Sequence, residues 1–95
     1  MLIKENSKAG TLESCDVLVT IEKKDIRDYQ IEIESSVIKK YGALIKKLVE
    51  EKIREMNVVG FKMKLVDRGA LDHVILARVE TAILRALAKS GENNE

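Results

Sequence analysis

Tyr29-Gln30-Ile31-Glu32-Ile33-Glu34-Ser35-Ser36 is the stretch on which the fold turns. Tyr29, Ile31 and Ile33 face one way and Gln30, Glu32 and Glu34 the other, the two-residue period of a strand with one dry and one wet face. The period then changes. Ser35 and Ser36 offer hydroxyls for a helix N-cap. Over 37–56 apolar residues recur at helical spacing, with Val37, Tyr41, Leu44 and Leu48 in one stripe and Ile38, Ile45, Val49, Ile53 and Met56 beside it. Lys39, Lys46, Lys47, Glu50, Glu51 and Arg54 form the opposite, solvated face. Asn57 and Gly60 are stop signals.

Working outward, Val17, Val19 and Ile21 alternate with Leu18 and Thr20 over 16–22, a β-branched run that predicts a strand. The polar residues 23–28 then read as a hairpin loop leading into the Tyr29 strand. Downstream, Phe61, Met63 and Leu65 alternate with Lys62 and Lys64, a third strand, and Asp67-Arg68-Gly69 is a turn. A second helix is predicted over 70–88, with Leu71, Val74, Ile75, Val79, Ala82, Ile83 and Ala86 inward. Asp72 at its start and Arg85 and Lys89 near its end suit the helix dipole. Residues 1–14 have no clear period and read as a flexible N-terminal segment around Gly10; residues 90–95 read as a frayed tail. The expectation is one domain spanning 1–95, of α+β class. It is a two-layer sandwich in which a three-stranded sheet is covered by two helices, in the order β-β-α-β-α.

The composition excludes several classes of function. Seventeen basic residues against sixteen acidic ones leave no global field toward nucleic acid or an anionic membrane. With no Trp, one Phe and two Tyr, the chain lacks material for a base-stacking platform. A single cysteine permits no internal disulfide and no Cys-based zinc site. No apolar run approaches membrane-spanning length, and the first nine residues lack the apolar core of a signal peptide, so a cytoplasmic location is expected. A chain of 95 residues buries one core but has no material for a deep catalytic cleft.

The segment before the first predicted strand, Ala9-Gly10-Thr11-Leu12-Glu13-Ser14-Cys15-Asp16-Val17-Leu18-Val19, places a hydroxyl at the edge of the folded body. Nothing nearby activates Ser14 as a nucleophile. There is no Gly-x-Ser-x-Gly elbow, and the only histidine, His73, lies on the second helix. Glu13 and Asp16 without a third ligand make a weak metal site, so no metal is expected. Cys15, flanked by carboxylates with no adjoining cation, reads as an inert thiol. Arg78 borders the apolar stripe of the second helix. Its stem is expected to cover the rim of the core, with contact to a phosphate-rich group or a partner subunit as the functional alternative.

Gly10-Thr11-Leu12-Glu13-Ser14, followed by Asp16-Val17, resembles the prosthetic-group attachment motif of the citrate lyase acyl carrier protein, or gamma subunit, family. Ile31-Glu32-Ile33-Glu34-Ser35 resembles the family's second strand. Asp67-Arg68-Gly69-Ala70-Leu71, then Ala77-Arg78-Val79, Ala82 and Leu84-Arg85-Ala86, resemble its C-terminal turn and helix. The likeness covers residues 9–86; Cys15 stands where the family often has a second serine. The resemblance implies that Ser14 carries, through a phosphodiester, a 2'-(5''-phosphoribosyl)-3'-dephospho-coenzyme A arm whose thiol bears acetyl and citryl thioesters. It implies four partners: an alpha subunit that exchanges acetyl for citryl, a beta subunit that releases oxaloacetate, a transferase that attaches the arm and a ligase that acetylates it. The chain itself would be no enzyme, with no catalytic residue of its own. Glu13 and Asp16 would be recognition handles for the transferase. The carriers of malonate decarboxylase and citramalate lyase are the neighbouring alternatives. A small interaction or RNA-binding module is the alternative of another class, disfavoured because Glu32 and Glu34 share the wet face with Lys62 and Lys64.

Overall fold

A computed structural model describes residues 1–35 and 39–88. Its elements are β1 (Ser7–Gly10), β2 (Val17–Lys23), β3 (Tyr29–Ser35), α1 (Lys39–Met56), β4 (Phe61–Asp67) and α2 (Asp72–Leu87). The expected helix cap at Ser36, the first turn at Val37 and Ile38, and the tail at 90–95 lie outside the described residues. The α+β class and the two helices stand, but the sheet has four strands rather than three, in the order β1-β2-β4-β3. The additional strand, β1, comes from the segment read as an aperiodic arm. Its sequence, Ser-Lys-Ala-Gly, has one apolar side chain and so carries no alternation to read. Pairing makes it a strand: Ala9 lies opposite Val19 and Gly10 opposite Leu18, antiparallel. The residues before it are tied down as well. The Ile3 amide donates to the Val59 carbonyl at 3.0 Å, the Lys4 amide to that of Ala86 at 2.9 Å, and the Ile3 side chain is buried.

The hairpin expected between β2 and β3 is also corrected. β4 lies between them, antiparallel to β2 and parallel to β3. Strand periodicity fixes which face is dry and is silent about which strand is the neighbour. The connection, residues 24–28, is long enough to pass one intervening strand, a gap of ~10 Å at the usual strand spacing. It is fastened over the start of β4, because the Gly60 amide donates to the Asp28 carbonyl at 2.7 Å and the Lys24 amide to that of Gly60 at 3.0 Å. The parallel β3–β4 pair needs a long crossover, and α1 supplies it.

Both helices cover one face of the sheet. Val17, Val19 and Ile21 of β2 and Phe61, Met63 and Leu65 of β4 are fully buried against Ile75, Val79, Ala82, Ile83 and Ala86 of α2 and Val49 and Ile53 of α1. α2 lies over β1 and β2, and α1 packs against α2 and β3. The Tyr29 ring stacks on Phe61, with centroids 5.7 Å apart. Of the two stripes read on the first helix, the one through Ile45, Val49 and Ile53 is the buried one; Leu44 is 50% exposed. Leu71, expected inward, precedes α2 and is exposed, because the helix begins at Asp72. Leu65→Ala is therefore expected to cost about 2–5 kcal/mol in urea unfolding, and Leu44→Ala less than about 0.5 kcal/mol.

Candidate functional site

Ser14 lies in the loop joining β1 to β2, at the end of the sheet where β4 runs out. The hairpin begins with a close approach. Gly10 has φ +92°, and a Cβ there would sit 1.8 Å from the Val17 carbonyl oxygen, so only glycine fits. The Thr11 amide donates to that same oxygen at 3.2 Å. Gly10 thus tightens the turn instead of loosening an arm.

Asp16 organises the loop. Its Oδ1 accepts from the Val17 amide at 2.8 Å and from Arg78 Nε at 3.1 Å. Its Oδ2 accepts from the Thr11 hydroxyl at 2.7 Å and from Arg78 Nη2 at 3.1 Å. The pairing with Arg78 is the two-pronged geometry that a guanidinium offers a carboxylate. The Thr11 hydroxyl in turn accepts from the Glu13 amide at 3.1 Å. On the far side of Ser14 the Cys15 amide donates to the Arg68 carbonyl at 2.8 Å, and the Arg68 amide to that of Asp16 at 2.9 Å. Cys15 takes φ +64°, in the left-handed region, which completes the turn. The backbone on both sides of Ser14 is held, while the Ser14 side chain is exposed and its hydroxyl has no partner among the described residues.

The turn after β4 is fixed by a second carboxylate. Asp67 is buried; its Oδ1 accepts from the Gly69 and Ala70 amides at 3.2 and 3.0 Å, and its Oδ2 from the Ser35 hydroxyl at 3.0 Å. Asp67 thereby sets Arg68, whose backbone receives the Ser14 loop.

The residues singled out from sequence separate into distinct roles. Glu13 is exposed beside Ser14. Asp16 adjoins it in sequence, but only 14% of its side chain is exposed and its oxygens are taken up within the protein. Cys15 is an exposed free thiol. His73 is exposed on α2, and no hydrogen bond joins it to Ser14. Arg78 does more than cover the core rim. Its stem passes over Gly10, where the Cδ would lie 3.3 Å from an added Cβ, and its head clasps Asp16. Thr11, Arg68 and Asp67 were missed as parts of the site. Asp67-Arg68-Gly69 was legible as a turn, but nothing in sequence joins it to residues 13–16. On the open face of the sheet, Glu32 bridges Lys62 at 3.3 Å and Lys64 at 3.6 Å. The hydrogen bond from Lys62, with the two nearby ammonium charges, holds the Glu32 carboxyl below its usual range.

The hydrogen bond from Thr11, then that from the Val17 amide, and the Arg78 guanidinium together lower the Asp16 carboxyl from 3.8 to about 2, against the opposing effect of burial. A carboxyl depressed in the folded state stabilises it above the ordinary value and loses that contribution as pH falls through the folded one. The share due to Asp16 is expected to disappear between 3.8 and about 2. A carboxyl-detected NMR titration should place its midpoint near the lower figure, and Asp16→Asn should flatten that part of the acid-unfolding curve.

With this geometry in view, the comparisons are specific. A family model described as the malonate decarboxylase delta subunit matches residues 4–86. The citrate lyase acyl carrier protein of Streptococcus mutans is 42% identical over 86 residues, 90% of this chain and 84% of the relative. Those of Lactiplantibacillus plantarum and Treponema denticola are 45% and 44% identical, over 92% and 94% of this chain and 90% and 100% of theirs. A chain from the crystal structure of a Pseudomonas malonate decarboxylase hetero-tetramer in complex with malonate superposes with a TM-score of 0.73 over 87% of this chain and 84% of that one. Its sequence identity is 18%, so the likeness is one of fold. Relatives of this identity, matched over nine-tenths or more of the chain, identify it as a member of the citrate lyase acyl carrier protein family.

Proposed function

We propose that this chain is the acyl carrier subunit of a citrate-cleaving complex and that Ser14 is the point at which its prosthetic arm is attached. The observation that carries the reading is the state of Ser14: an exposed hydroxyl with no base beside it, between the Glu13 and Cys15 amides, both of which are bonded. Such a serine is suited to being modified rather than to attacking a substrate. The residues fit a bulky phosphodiester-linked group, because the hydroxyl faces solvent and no described side chain competes for it. When attached, 2'-(5''-phosphoribosyl)-3'-dephospho-coenzyme A supplies a terminal thiol able to carry acetyl or citryl groups as thioesters.

The protein's own contribution is mechanical and electrostatic. The body anchors one end of the arm, so each reaction at a partner site proceeds at the local concentration set by the tether. The hairpin keeps the anchor at one end of the sheet, away from the open face, where Glu32 balances Lys62 and Lys64. That balance disfavours an RNA-binding surface. The partners are an acyl-exchanging alpha subunit, a cleaving beta subunit, an attaching transferase and an acetylating ligase, all cytoplasmic. A second reading, carrier of a malonate decarboxylase, has support in the matching family model and the Pseudomonas structure. The identities of 42–45% to citrate lyase carriers favour the first.

Intact-mass analysis of the chain purified from its own host should show the mass of the phosphodiester-linked arm on wild type and its loss in Ser14→Ala. An unmodified wild-type chain, or a modified Ser14→Ala, contradicts the assignment. The subunits that co-purify decide between the citrate and malonate readings. Glu13, exposed beside the attachment point, is the available acidic handle for the transferase, while Asp16 acts through the loop. Glu13→Lys should slow attachment roughly tenfold at low salt, an effect that added salt reduces.

A further inference from the structure

We infer that Arg78, from the middle of α2, is a positioning residue for Ser14, and that the modifying enzyme binds a loop shape which Arg78 holds in advance. This rests on Ser14 being the attachment site. It goes beyond that assignment by making a residue 62 positions away from Asp16 a determinant of recognition.

Within the hairpin, Asp16 is bonded to Thr11 and to the Val17 amide, and Thr11 to the Glu13 amide. Those bonds close the loop on itself and do not tie it to the rest of the fold. Among the described residues, two connections leave the loop, residues 11–16. One is the backbone pair between Cys15, Asp16 and Arg68. The other is the two-pronged bond of Arg78 to both Asp16 oxygens, the only side-chain tie from the loop to a helix among the described residues. Arg78 reaches Asp16 across Gly10, the position where a Cβ would collide with Val17. The helix, the glycine and the carboxylate therefore form one device, whose product is a held backbone on either side of an unpartnered serine hydroxyl.

If the loop is competent only in this orientation, losing Arg78 lowers the competent fraction and weakens apparent binding by that fraction. The step that follows binding is left unchanged. The signature is a raised KM for the carrier with an unaltered kcat.

The test uses the full chain as wild type, Arg78→Ala, Arg78→Lys and Ser14→Ala. Attachment by the transferase is followed by intact mass against carrier concentration, and amide exchange by NMR. In Arg78→Ala, KM is expected to rise ~10-fold with kcat unchanged, and Arg78→Lys to recover part of the loss. The Glu13 and Cys15 amides should exchange faster while those of Val19 and Leu65 keep wild-type protection. A wild-type KM in Arg78→Ala, or a fall in kcat at constant KM, overturns the inference. So does faster exchange shared by the Val19 and Leu65 amides, which would make Arg78 a general stabiliser. Should Arg78→Ala not fold, Arg78→Lys carries the test, because it keeps the charge and stem but loses the two-pronged bond, and a wild-type KM there overturns the inference equally. Modification of Ser14→Ala would instead refute the attachment assignment itself.

Discussion

Everything in this fold leans on β4. Among the described residues it is the only strand with a partner on each side in opposite senses, antiparallel to β2 and parallel to β3. Phe61, Met63, Leu65 and Asp67 on its inner side are all buried. Burying three large apolar side chains on one seven-residue strand provides the surface against which both helices pack. Its last residue, Asp67, converts the end of that strand into a rigid turn by accepting two backbone amides and the Ser35 hydroxyl. The Ser14 loop is then hung on that turn through Arg68. The candidate site is thus an extension of the central strand, although none of the residues around Ser14 belongs to it.

The division of labour between the two carboxylates follows from where they sit. Asp67 is enclosed and bonds only to neutral donors of its own turn and of β3. Asp16 is at the rim, where a guanidinium can reach it from the next layer while remaining 41% exposed. A rim ion pair of this kind adds little to global stability. Its value lies in geometry, since four donors fix a single carboxylate in both position and plane.

How much of this was readable in advance depended on whether the information was local. β2, β3, β4 and both helices declare themselves because their apolar residues repeat at the period of the element that buries them. β1 does not: with Ala9 as its only apolar side chain, it is a strand because Val19 and Leu18 lie beside it. The order of strands was equally hidden, because β2 and β3 present the same alternation whether they touch or flank a third strand. Ser14 stood out through its neighbours and the family resemblance they carry. The clasp on Asp16 could not be read, for Arg78 resembles any arginine bordering an apolar stripe until the chain is folded.

The insertion of β4 between β2 and β3 has a consequence for the order of events during synthesis. β2 and β3 make no hydrogen bonds to each other, and the strand that joins them follows the whole of α1. A nascent chain that has emerged as far as β3 has only the β1–β2 ribbon to form, and isolated ribbons of that size are marginal in water. The sheet can close only when residues 61–67 have left the ribosome, and α2, which covers β1 and β2, comes later still. The body that presents Ser14 is therefore assembled nearly all at once, after α2 has emerged.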